Sequence, residues 1–122
     1  MIKAVWVEIP VIDIARAMKF YQTVFELSET EVVDDGVRKT ATFFGGAEGQ
    51  PGISLNQTKN FTPGEKGIYV YFDAGEDLSD HLSRIEPAGG HIVEGKTSMG
   101  SAGFYASVKD TEGNLFALYS FK

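Results

Sequence analysis

One pattern constrains this chain more than any other: it occurs twice. VWVEIPVIDIARAMKFY near the N-terminus and GIYVYFDAGEDLSDHLSRI in the second half both read as a short apolar strand, a loop, an aspartate placed to cap a helix, and an amphipathic helix. Asp13 and Asp77 lie about 64 residues apart, too long a period for a solenoid and suited to a paired module. After each helix the chain carries three further strand patterns, so each half reads βαβββ. The expectation is an α+β fold of two such modules, about residues 1–60 and 65–122, within one domain spanning 1–122. Neither half alone could bury both a helix face and a sheet face. Two together can share a curved mixed sheet, whose concave side is a natural ligand cleft.

The first strand, about Ile2 to Ile9, ends at Pro10, which has no amide hydrogen for a ladder. Asp13 caps a helix over Ile14–Val24, where Ile14, Ala17, Met18 and Tyr21, with Phe25 beyond, recur at three- and four-residue steps. Thr30–Val33 and Val37–Phe44 form a hairpin around Asp34-Asp35-Gly36, followed by a GGAEGQPG loop (Gly45 to Gly52) and a strand at Ile53–Gln57. In the second half Leu78, Leu82 and Ile85 share a helical face that stops at Pro87 and Gly89-Gly90. Strands are expected at His91–Glu94, Gly103–Lys109 and Leu115–Phe121, the last two joined by the turn DTEGN.

Composition removes several functions. A net charge of −6 and the lack of any basic cluster argue against nucleic acid, and Arg38-Lys39 and Lys59 read as solvated surface. The absence of cysteine excludes thiolate chemistry and disulfides. No apolar run approaches a membrane span and no signal-peptide pattern opens the chain, so the expected location is cytoplasmic, with no membrane partner. The glycine-rich stretch lacks the Lys-Ser/Thr of a phosphate loop, and His81 and His91 read as surface residues.

EIPVIDIARAMKFY together with GFYASVKDTEGNLFALYS resembles the vicinal oxygen chelate superfamily, the group containing glyoxalase (lactoylglutathione lyase), extradiol dioxygenases and bleomycin resistance proteins. The resemblance spans essentially the whole chain and is nearest to short bacterial proteins related to lactoylglutathione lyase that have no assigned substrate. Metal-dependent members place His, Glu or Gln ligands on facing strands of the two modules. Aligned on Asp13, those positions fall here on Trp6, Ser54, Tyr69 (or Val70) and Ala117. Indole, a lone serine and alanine cannot displace water from a divalent ion, so the resemblance implies neither a metal nor any other cofactor here. Glyoxalase chemistry, which relies on that ion, is not expected.

If Trp6 faces the cleft, alternation brings Glu8 with it and leaves Val5, Val7 and Ile9 for the core. The same logic turns Ser54 and Asn56, Tyr69 and Tyr71, and Ala117 and Tyr119 inward, giving a ligand-binding wall of aromatic rings with a few polar tips. Glu8 is the one catalytic candidate, as general base or as anchor for a cation; a solvated glutamate or one paired with arginine is the plainer reading. In the resembled family the segment corresponding to TSMGSAG, Thr97 to Gly103, can border the cleft mouth, which implies Met99 as a contact; a plain surface loop is the other reading.

Three functions follow. The first is metal-free binding of a small aromatic or amphipathic molecule, as in bleomycin-resistance proteins. The second is a lyase or isomerase using Glu8 or an atypical metal site, and the third a dimeric interaction module whose cleft is closed by its own side chains. Family members of this size commonly form homodimers, sometimes with exchanged modules, and a homodimer is expected here.

Overall fold

The structure is a computed structural model and describes residues 1–44 and 51–122. The chain runs β1 (Trp6–Pro10), α1 (Ile14–Phe25), β2 (Val32–Asp34), β3 (Lys39–Phe44), β4 (Gly52–Gln57), β5 (Tyr71–Asp73), α2 (Ser79–Ile85), β6 (His91–Ser98), β7 (Phe104–Lys109) and β8 (Leu115–Ser120), with a 3-10 turn at Gly100–Ala102. The two βαβββ modules are both present. Each builds its own four-stranded mixed sheet, in the order β1-β4-β3-β2 and β5-β8-β7-β6, so the one curved sheet expected for a chain is divided in two. The loop expected over Gly45 to Gly52 lies outside the described residues apart from Pro51 and Gly52, which opens β4.

Local chemistry explains the helix ends. Asp13 is extended and its carboxylate accepts the Arg16 N–H at 3.1 Å, and α1 stops at Glu26, whose left-handed φ of 53° lets its N–H reach the Gln22 carbonyl. Asp77 is one residue further from its helix than expected. Leu78 occupies the cap position, fully buried, with its N–H on Ser120 Oγ at 3.0 Å; Asp77 accepts from Ser79 N–H and pairs with Lys96, both at 2.9 Å, and the Ser79 hydroxyl, then its N–H, then Lys96 hold its carboxyl well below the usual range.

The core joins the modules through α1. Ile9, Leu55 and Ala41 face it from the first sheet, Val108, Phe116 and Leu118 from the second, and Phe20 and Val24 are completely buried between them. Phe25 sits edge-on to Phe72 of β5 with ring centroids 5.7 Å apart, and Phe20 edge-on to Phe116 at 6.4 Å. His81, expected at the surface, instead packs edge-on against Phe25 at 5.4 Å; burial, then Arg84, depresses its pKa.

The DTEGN turn does more than connect β7 to β8. Glu112 accepts the Ile12 and Asp13 N–H groups, each at 2.8 Å, and both Nε and Nη2 of Arg16, at 2.8 and 3.0 Å. Asp110 accepts from the Tyr21 hydroxyl at 2.7 Å, and Asn114 donates to the Pro10 carbonyl at 2.8 Å. The turn of the second module thus clamps the start of α1 in the first. Burial alone would raise the Glu112 pKa, but the Arg16 side chain, the Asp13 and Ile12 N–H groups and the Thr111 hydroxyl outweigh it and bring it to about 2. Burial, reinforced by the charge of Asp110, pushes the Tyr21 phenol well above its ordinary value.

Candidate functional site

Strand register makes the two modules directly comparable. Glu8 lies opposite Ser54 in the parallel β1–β4 pair, and Tyr71 opposite Ala117 in β5–β8. Trp6 therefore corresponds to Tyr69, not Val70, and Asn56 to Tyr119. The antiparallel neighbours correspond too: Thr42 faces Ser54, and Ser107 faces Ala117.

On the first sheet, the face opposite the core is a hydrogen-bonded network. Trp6 Nε1 donates to Ser54 Oγ at 3.1 Å, and Asn56 Nδ2 to the same oxygen at 2.8 Å. Asn56 Oδ1 in turn accepts from the Thr40 hydroxyl at 3.1 Å and from Arg38 at 3.3 Å. Arg38 also reaches Glu8 at 3.2 Å. Ser54 and Asn56 are almost completely buried, yet Trp6 is 43% exposed. The indole lies across β4, where a Cβ on Gly52 would come within 2.4 Å of its Cζ3. Glycine in mid-sheet is here a seat for the ring. Gly52→Ala should displace the indole, break its bond to Ser54 and cost about 1–2 kcal/mol. Because Trp6 is the only tryptophan, its emission reads this directly: a red shift is expected, and unchanged emission would contradict the packing.

The equivalent face of the second sheet is built of tyrosines. Tyr69 bonds to Ser107 through the two hydroxyls at 2.8 Å and its ring centroid is 5.0 Å from that of Tyr71, which in turn lies 6.4 Å from Tyr105. The Tyr105 hydroxyl donates to Glu94, and this bond, followed by partial burial and the carboxylate's charge, raises its pKa. Tyr119 donates to the Ala102 carbonyl at 2.6 Å, fastening the Thr97–Gly103 segment beside this face. Ala117 is fully buried in this wall.

The expected residues thus divide into Trp6, Glu8, Ser54 and Asn56 on one sheet and Tyr69, Tyr71, Ala117 and Tyr119 on the other. Cavities formed elsewhere, one against Phe25 and Phe72 and one between the β2–β3 turn and residues 57–63, include none of them. Arg38, Thr40, Glu94, Tyr105 and Ser107 belong to these faces and were missed. Thr40, Tyr105 and Ser107 were open to the same alternation argument; the ion pair of Arg38, read above as solvated surface, depends on a contact 30 residues away.

The donor set does not fit a divalent ion. Ser54 Oγ already receives two hydrogen bonds, and indole, phenol and methyl groups at the other three positions are poor ligands at neutral pH. Among the described residues no three of His, Asp or Glu gather where they could hold a metal.

A profile of the Glyoxalase/Bleomycin resistance protein/Dioxygenase superfamily matches residues 3–118, and the chain belongs to that family. No curated protein matches it. Among solved structures it is similar to a glyoxylase/bleomycin resistance protein/dioxygenase domain from Frankia sp. EAN1pec, with TM-score 0.77 and 14% identity over 100% of this chain and 93% of that one. It is also similar to the fosfomycin resistance protein FosX of Listeria monocytogenes, with TM-score 0.74 and 18% identity over 100% and 96%. A glyoxalase I variant from Zea mays gives TM-score 0.72 and 21% identity over 94% of this chain but 45% of that one. At these identities the likeness speaks for the fold. No helix among the described residues is long and apolar enough to cross a membrane.

Proposed function

We propose that this chain is a metal-free, homodimeric binding protein for a small aromatic or amphipathic molecule, its domain spanning residues 1–122 as modules of about 1–60 and 65–122. Each cleft would combine the first module of one copy with the second module of the other. The observation that carries this reading is where the two faces end: each runs out to an edge strand, β1 or β5, at a half-exposed aromatic ring, Trp6 or Tyr71.

Backbone direction supports it. The Val5 carbonyl and Val11 N–H turn toward β4, so the alternate residue Glu8 turns its backbone groups outward. The Val70 carbonyl and Ala74 N–H likewise turn toward β8, leaving those of Tyr71 and Asp73 outward. Laying β1 of one copy beside β5 of another would pair the two edge strands and unite two four-stranded sheets into one concave surface. Val5 and Ile68, exposed apolar residues beside those strands, would be covered in the same step.

In such a cleft Trp6, Tyr69, Tyr71 and Tyr119 supply stacking surface, and Asn56 and Ser54 a polar floor. Glu8, held by Arg38, would orient a donor group of the ligand. To act as base in a lyase or isomerase reaction it would first have to exchange that partner. A panel of aromatic amphiphiles titrated against Trp6 fluorescence tests the reading. At least one compound should quench saturably in the wild type and bind about tenfold more weakly to Tyr71→Ala, the scale of one lost aromatic contact. A broad panel without a response, or affinity indifferent to both Tyr71→Ala and Asn56→Leu, would overturn it.

A further inference from the structure

The phenols on the second sheet spend their hydroxyl protons on the protein itself. Tyr69 donates to Ser107 at 2.8 Å, Tyr119 to the Ala102 carbonyl at 2.6 Å, and Tyr105 to Glu94. What this face offers a ligand is therefore mainly ring surface. The rings are not stacked: Tyr69 and Tyr71 meet at 72° with centroids 5.0 Å apart, and Tyr71 and Tyr105 at 64° and 6.4 Å. Rings set at steep angles present several π faces to one small group, and each face is the negative part of a quadrupole. The bond from Tyr105 to a carboxylate polarises that phenol further in the same sense.

The charges beside these rings have one sign. Glu94 lies opposite Ser107 in the β6–β7 register and Asp73 opposite Tyr119 in β5–β8, so both carboxylates share the face with Tyr71 and Tyr105. Among the described residues neither pairs with a cation: Glu94 takes the Tyr105 and Thr97 hydroxyls, and Asp73 the Gly75 N–H at 2.9 Å. The cations of the region are engaged elsewhere. Lys96 pairs with Asp77 and lies 4.8 Å from the Phe104 ring centroid, Lys109 pairs with Glu65, and on the first sheet Arg38 is held by Glu8 and Asn56.

We propose that the ligand of the cleft is a cation, a small quaternary ammonium compound whose methyl groups seat against Tyr69, Tyr71 and Tyr105, with Glu94 and Asp73 as the neighbouring negative charges. This rests on the reading of the face as a ligand-binding wall and names the class of ligand. A methylated nitrogen suits such a wall because it carries its charge on apolar groups and needs no acceptor, whereas a primary ammonium brings three donors that ring faces serve poorly. An anion would meet two carboxylates and the negative ring faces, a field that the net charge of −6 reinforces.

Amide chemical-shift titration of the full chain with choline, its uncharged isostere 3,3-dimethylbutan-1-ol and the anion 3,3-dimethylbutanoate tests this. Choline should move the Tyr69, Tyr71 and Tyr105 amides saturably and bind about tenfold more tightly than the alcohol, the scale of a partly desolvated cation over aromatic rings, and the acid should not move them. Tyr105→Leu should cut the preference for choline to about threefold while leaving the alcohol nearly unaffected, and Tyr105→Phe, which keeps the ring, should keep most of it. Equal binding of choline and the alcohol, tighter binding of the acid, or a preference untouched by Tyr105→Leu in a folded variant would overturn the cation and leave the wall standing as a site for apolar ligands. No response from any of the three probes would overturn it as well, and the aromatic panel read by Trp6 then shows separately whether the wall itself fails. Tyr105 and Ser107 amides that shift with protein concentration but not with choline would make a second copy the occupant and also end the proposal.

Discussion

Asp110→Ala should lower the unfolding free energy by on the order of 4 kcal/mol, a large part of the roughly 5–15 kcal/mol typical of a domain. Asp110 is 5% exposed and is the acceptor for the Tyr21 hydroxyl, the Glu112 and Asn114 N–H groups and Asn114 Nδ2, at 2.7 to 2.9 Å. Alanine strips all of these donors of their partner at once in a place water does not reach, and each costs more unpaired than it contributed when paired. Tyr21→Phe, which removes one donor together with its need, should cost only about 1 kcal/mol. Urea denaturation with an unchanged slope checks both. Equal losses for the two variants would show that the carboxylate is not the hub.

The second large effect is a loss of stability in acid that belongs to Glu112. Its pKa falls from 4.5 to about 2 on folding, so between those values the unfolded chain binds more protons than the folded one. The stabilisation is complete above about pH 4.5 and disappears as pH falls toward 2. It amounts to about 3 kcal/mol. Glu112→Gln should lower stability at neutral pH and flatten the acid limb of the curve relative to wild type. A variant whose stability runs parallel to wild type from pH 6 to pH 3 would place the acid sensitivity elsewhere. The consequence would be architectural as well as thermodynamic, because Glu112 and Arg16 tie the second module to the start of α1.

Both of these residues sit in a stretch that reads as an ordinary hairpin turn, which marks where the sequence stops being informative. Periodicity exposed α1, since its buried residues Ile14, Ala17, Phe20, Tyr21 and Val24 follow helical spacing, and alternation exposed β4 and β8. Strand ends were less visible. Ile2 to Val5 look like strand by residue type, yet the ladder begins at Trp6, whose partner Gly52 is the first residue of β4. Strand β6 runs past Glu94 to Ser98 because register shifts after Ile92 and Glu94 break the alternation that a reader follows.

The site was half legible for a related reason. Which side chains share a face follows from period two, so the grouping of Trp6 with Glu8, Ser54 and Asn56, and of Tyr71 with Ala117 and Tyr119, could be read in advance. Which face meets which could not. That depends on α1 packing its Phe20, Tyr21 and Phe25 against the second module as well as the first, a long-range choice that leaves β1 and β5 on the edges of separate sheets. The seat for Trp6 at Gly52 was hidden likewise, because a glycine opening a strand is usually assigned to the preceding loop.

The proposed complete cleft needs two copies, joined along β1 and β5. Sedimentation equilibrium of the wild type, Trp6→Asp and Tyr71→Asp measures it most directly, with urea midpoints confirming that each variant is folded. The wild type should sediment as a dimer and both variants as folded monomers, since either change places a charge in the proposed seam. A wild type that stays monomeric at every concentration, or a dimer that both charged variants leave intact, would contradict the claim.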